Sequence, residues 1–176
     1  MDAHDGAGNN VRSQRGGWMS FFSMGGANQE RVTVTVLRHD RAGVAARHAE
    51  NSWSNTHEGW LAAEVAVGAG SFSAQFPAAF RAEDFIRFQQ ALQPLQDTLM
   101  GEATFSTEGQ QLFLRVVGND RGHIEVIGIA LAWPGEGEKC EFRLALDQAG
   151  LARTLRELAQ LLATFPADGS TRTLGR

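Results

Sequence analysis

A chain of 176 residues, 43% of them hydrophobic, is sized for one domain with one substantial core rather than two poorly buried ones. Its 16 Lys+Arg against 20 Asp+Glu give a formal net charge of −4, which counts against nucleic acid or an anionic membrane surface as partner. The single cysteine, Cys140, excludes an internal disulfide and a Cys-based zinc cluster and suits a reducing compartment.

Residues 1 to 30 are rich in Gly, Asn, Ser and Gln and show no sustained periodicity, so they are expected to form a disordered polar leader. Met19 and Met24 fall inside it, which leaves Met1, Met19 and Met24 as natural starts for an intact-mass measurement to decide. The first residues carry no basic region. The apolar patch Trp18-Met19-Ser20-Phe21-Phe22 is broken by serine and followed by Gly25-Gly26. No cleaved signal peptide is therefore expected, no apolar run nears the roughly 20 residues of a membrane span, and the expected location is the cytoplasm.

The domain proper is expected over residues 31–166. Val32, Val34 and Val36 alternate with polar residues, which predicts a half-buried strand from Arg31. A long loop from His39 to Glu58 follows. Trp60 to Val67 and Ser71 to Phe76 alternate in the same way, and Gly68-Ala69-Gly70 between them suits a hairpin. Phe85, Phe88, Leu92, Leu95 and Leu99 recur at helical spacing and predict a helix over Glu83 to Met100, which Pro94 should kink or interrupt.

Four further strands are legible at Ala103 to Ser106, Leu112 to Val117, His123 to Ala132 and Cys140 to Leu146, separated by glycine-bearing turns. The short spacings demand antiparallel neighbours. Asp147 is a suitable N-cap for a last helix carrying Leu151, Leu155, Leu158 and Leu162 to about Phe165, and residues 167–176 read as a polar tail. The sum is an α+β fold in the order βββαββββα: a curved antiparallel sheet of about seven strands with two amphipathic helices packed on one face.

A search for chemistry finds little. His123 and Glu125 have the spacing of half a zinc-deaminase motif, but no Cys-x-x-Cys follows, and on a strand both side chains face one way as a solvated pair. Cys140 is in phase with Phe142, Leu144 and Leu146, as a buried strand cysteine would be. There is no nucleophile elbow, phosphate-binding glycine loop or His-Glu-x-x-His, so no catalytic residue, metal ligand or cofactor is assigned.

Several segments, taken in order, carry a resemblance. They are Gly59-Trp60-Leu61-Ala62-Ala63-Glu64, Gly70-Ser71-Phe72, Glu83-Asp84-Phe85-Ile86-Arg87-Phe88, Gly101-Glu102-Ala103, Arg121-Gly122-His123-Ile124-Glu125-Val126 and Phe142-Arg143-Leu144-Ala145-Leu146-Asp147-Gln148. Together they resemble the WapI-like family of bacterial immunity proteins over roughly residues 30 to 166. The glycine-rich leader and Pro94 depart from that pattern. The resemblance implies a non-enzymatic protein that binds and neutralises a cognate toxin by occlusion. The acidic balance suits a basic nuclease as that toxin, and Asp120, Glu136, Glu138 and Glu141 are the acidic residues expected at the contact. The alternative is a small-ligand-binding or regulatory module using the open face of the sheet, with a pocket lined by Trp60 and Trp133.

Overall fold

Two antiparallel meanders, each ended by a helix, share one core. The first is a five-stranded sheet in sequential order: β1 (Val11–Arg12), β2 (Trp18–Gly25), β3 (Arg31–His39), β4 (Trp60–Ala69) and β5 (Phe72–Arg81). It runs without a loop into α1 (Ala82–Thr98). The second has four strands, β6 (Gly101–Phe105), β7 (Leu112–Gly118), β8 (Ile124–Leu131) and β9 (Lys139–Leu146), and ends in α2 (Gln148–Thr164). The structure, a computed structural model, describes residues 11–12, 18–26, 30–40, 59–119, 121–132 and 137–167. His48, Trp53 and His57 of the expected long loop, Trp133, and residues 168–176 lie outside the described residues.

The expected single curved sheet is corrected to two sheets. The class and the antiparallel pairing stand, but α1 follows β5 directly and packs against β6, so the two strands flanking the helix are not neighbours in a sheet. α2 packs on β2, α1 on β6, and the two helices on each other.

The second correction concerns the leader. Residues Trp18–Gly25 form β2, paired antiparallel with β3 from Ser20↔Val36 to Gly25↔Arg31. Ser20, Phe22 and Met24 alternate onto a fully buried face, so the period of two was present in a segment whose serines and glycines read as polar chain. Phe22 meets Phe85, Phe88 and Phe105, each with ring centroids 6.0 Å away, and Phe80 joins the same cluster. One knot of phenylalanines thus joins β2 and β5 of the first sheet, β6 of the second, and α1. Edge-to-face ring pairs of this kind add about 0.5–1.5 kcal/mol each beyond their buried area.

α1 runs through Pro94 unbroken. Pro94 is exposed, so the hydrogen bond it lacks is on the side of the helix that faces solvent. Asp147 caps α2 as expected, its Oδ1 accepting from the Gly150 N–H at 2.7 Å. β5 continues past Phe76 through Pro77, which an edge strand tolerates when the missing N–H would point away from its neighbour.

Candidate partner-binding surface

The second sheet presents one face to the core and the other to solvent. Inward go Leu112, Leu114, Val116, Val126, Phe142 and Leu144, all buried. Because side chains alternate along a strand, the intervening residues form the outer face. Its centre is apolar: Phe113 on β7 lies opposite Ile129 on β8, and Val117 and Ile127 occupy the adjoining rows, all partly exposed.

Charged side chains frame that centre in three ion pairs. Ile127 sits directly between Arg115 on β7 and Arg143 on β9. Arg115 donates through Nε and Nη2 to Glu102 Oε2 at 3.0 and 2.6 Å. Arg143 Nη1 donates to Glu125 Oε1 at 2.7 Å, and Lys139 Nζ lies 2.5 Å from Glu141 Oε1. Each carboxylate is matched by a cation, so this face is locally neutral. Exposed pairs of this sort contribute little to stability. Their long stems lie beside the apolar row and leave it only partly covered.

Of the acidic residues singled out from sequence, Glu141 and Glu138 are exposed, Glu141 on the outer face of β9 and Glu138 just before that strand. The hydrogen bond from Lys139 holds the Glu141 carboxyl below the usual carboxylate range. The Glu138 backbone carbonyl accepts from the Ala132 N–H at 3.1 Å, closing the β8–β9 connection. Asp120 and Glu136 lie outside the described residues. The apolar row was not singled out from sequence, although Phe113, Val117, Ile127 and Ile129 are the outward phase of strands whose inward phase is also apolar.

Other candidates resolve differently. Glu125 is engaged by Arg143, with His123 exposed just before β8. Cys140 is partly buried and packs against the core. Trp60 is 3% exposed, and the Arg81 guanidinium lies over its ring, 4.9 Å from the centroid. That ring face is covered by the chain's own side chain, with Trp133 outside the described residues. Among the described residues no three His, Cys, Asp or Glu side chains are placed to hold a metal ion, and no helix is long and apolar enough to cross a membrane.

A family model described as the immunity protein WapI-like family matches residues 22–166. A search of curated proteins returned no match. The matched span opens inside β2 at Phe22 and closes after α2 at Pro166, so it takes in the second half of a strand expected to belong to the leader. With β3 to β9, both helices and every phenylalanine of the core cluster inside that span, the chain belongs to the WapI-like immunity protein family.

Proposed function

We propose that this protein binds a cognate bacterial toxin domain in the cytoplasm and neutralises it by occlusion, with no catalysis of its own. The observation that carries this reading is the outer face of the second sheet, a partly exposed apolar row framed by paired charges, on a chain that belongs to an immunity family. A binding surface of that composition has an apolar centre to exclude water and a polar rim to set register and rate. The row of Phe113, Ile127 and Ile129 forms the centre of the contact.

Asp120, Glu136, Glu138 and Glu141 are the acidic residues proposed for the contact. Together with the net charge of −4 they favour a basic partner, and a nuclease domain, whose own ligand is polyanionic, has that character. The test is co-expression with candidate toxin domains, beginning with any encoded beside this protein. Growth rescue together with a co-purifying complex supports occlusion. Rescue without a complex, accompanied by chemical modification of the toxin, contradicts it.

A further inference from the structure

We propose that the first half of β5, from Phe72 to Phe76, is a pairing edge for a second copy of this chain. β5 is the outer strand of the first sheet, and Gln111 reveals which way its backbone faces. The Ala79 N–H donates to Gln111 Oε1 at 3.0 Å, and Gln111 Nε2 donates to the Pro77 carbonyl at 3.1 Å. In an antiparallel strand the N–H and C=O of one residue point the same way, and alternate residues point oppositely. The register with β4 is unbroken from Trp60↔Arg81 to Ala69↔Phe72, so Ser73 and Gln75 share the outward direction of Pro77 and Ala79.

The other edges are guarded. On β2, beyond the two residues paired with the short β1, the Ser23 N–H donates to Glu157 and the Ser23 and Gly25 carbonyls accept from Thr154 and Arg153 of α2. β6 is only five residues long and lies against α1. β9 places Lys139, Glu141 and Arg143 at alternate positions. These are the usual devices against edge pairing: cover, brevity and charge. The second half of β5 has two of its own, Pro77, which lacks an N–H, and the Gln111 amide. Its first half has none: Phe72-Ser73-Ala74-Gln75-Phe76 carries no charge and no bulge, and no strand of the described residues pairs with it.

The edge is also complementary to itself. Antiparallel pairing about Ala74 sets Ser73 opposite Gln75 of the second copy, and Gln75 opposite its Ser73, each pair exchanging both N–H···O bonds. The same register sets Phe72, 75% exposed, opposite Phe76 of the second copy, which is 7% exposed and part of the core. The exposed ring thereby extends the apolar inner face across the twofold axis. Pro77 ends the pairing on each side. A contact of one strand pair falls below the ~1,200 Å² of standard stable interfaces, so the dimer is reversible, with a dissociation constant of roughly 10–500 µM.

This dimer is independent of toxin binding and is tested without the toxin. Sedimentation equilibrium of the full chain from about 1 µM to about 1 mM is expected to show its mass double reversibly. Gln75→Pro removes one outward N–H and leaves the β4 ladder intact, as Pro77 already does. It should be monomeric throughout, with unchanged circular dichroism. Phe72→Lys, at an exposed side chain, should behave alike and serves alone if the proline variant does not fold. A wild type that stays monomeric at the highest concentration overturns the proposal, whether because another segment of its own chain covers the edge or because a different partner uses it. A dimer that persists in both variants overturns it as well.

Discussion

Glu157 on α2 accepts, through one carboxylate oxygen, hydrogen bonds from both the backbone N–H and the hydroxyl of Ser23 on β2, at 2.7 and 3.1 Å. Thr154 on the same helix donates to the Ser23 carbonyl at 2.6 Å. The last helix thus completes the hydrogen bonding of a strand near the start of the chain, and it does so out of water, since all three residues are buried. Removing the acceptor leaves a buried N–H without a partner, which costs about 2–3 kcal/mol, and more than a neutral acceptor would. Glu157→Ala should lower the urea midpoint accordingly. Glu157→Gln, which keeps an acceptor oxygen, should lose less than half as much.

Phe22 is the residue whose role the fold changes most. Its ring is fully buried and touches three other phenylalanines from α1 and β6. Phe22→Ala is expected to cost about 3–5 kcal/mol in thermal or urea unfolding, as for other buried aromatic truncations. A chain beginning at Arg31 should fail to fold, judged by loss of its near-ultraviolet dichroism.

The β8–β9 pair contains a close fit that a single methyl group would break. Gly128 lies opposite Phe142, and a Cβ built on Gly128 would fall 2.0 Å from the Phe142 ring. Gly128→Ala should therefore destabilise by about 1–3 kcal/mol through overpacking. Combining it with Phe142→Leu should recover part of that loss, giving a coupling that a double-mutant cycle measures.

Asp84 in the first turn of α1 accepts from the Arg81 N–H at 2.9 Å and from Arg87 Nη2 at 2.6 Å, with its side chain 2% exposed. Burial raises its pKa above the ordinary 3.8, outweighing the lowering by those two donors. A carboxyl with a raised folded-state pKa binds its proton more readily when folded, so stability rises as pH falls from the folded value toward 3.8. Relative to Asp84→Asn, the wild type should gain unfolding free energy on acidification through that window. A relative loss would contradict the sign.

Most of the scaffold was legible in the sequence, because long regular alternation has one simple physical cause. Val32, Val34 and Val36 are all fully buried, and Leu151 and Leu158 line α2 behind the Asp147 cap. Where signals conflicted, the sequence was ambiguous. Ser20 and Ser23 masked the alternation of Phe22 and Met24, and the partner that satisfies Ser23, Glu157, lies 134 residues away where local pattern cannot place it. The strand expected to stop at Phe76 continues through Pro77 to Arg81, and whether the missing N–H of Pro77 matters depends on which side of the strand is an edge. The division into two sheets rests on α1 packing against β6, a tertiary choice that local pattern does not encode. On the proposed binding face, Glu141 was legible as exposed charge, but its pairing with Lys139 depends on strand geometry. Ile127 and Ile129 were hidden because apolar residues in both phases of a strand look like core on both faces.

The affinity of the protein for a toxin domain that it is found to neutralise, compared between wild type and Ile127→Glu by isothermal titration calorimetry, tests the proposed contact most directly. Ile127 is on the outer face between Arg115 and Arg143, so the new carboxylate has cations beside it and the fold should be retained, with an unchanged melting temperature. Loss of a central apolar contact should weaken binding by about 100-fold, the equivalent of roughly 3 kcal/mol. Unchanged affinity in a folded Ile127→Glu protein would contradict the assignment of this face as the toxin-binding surface.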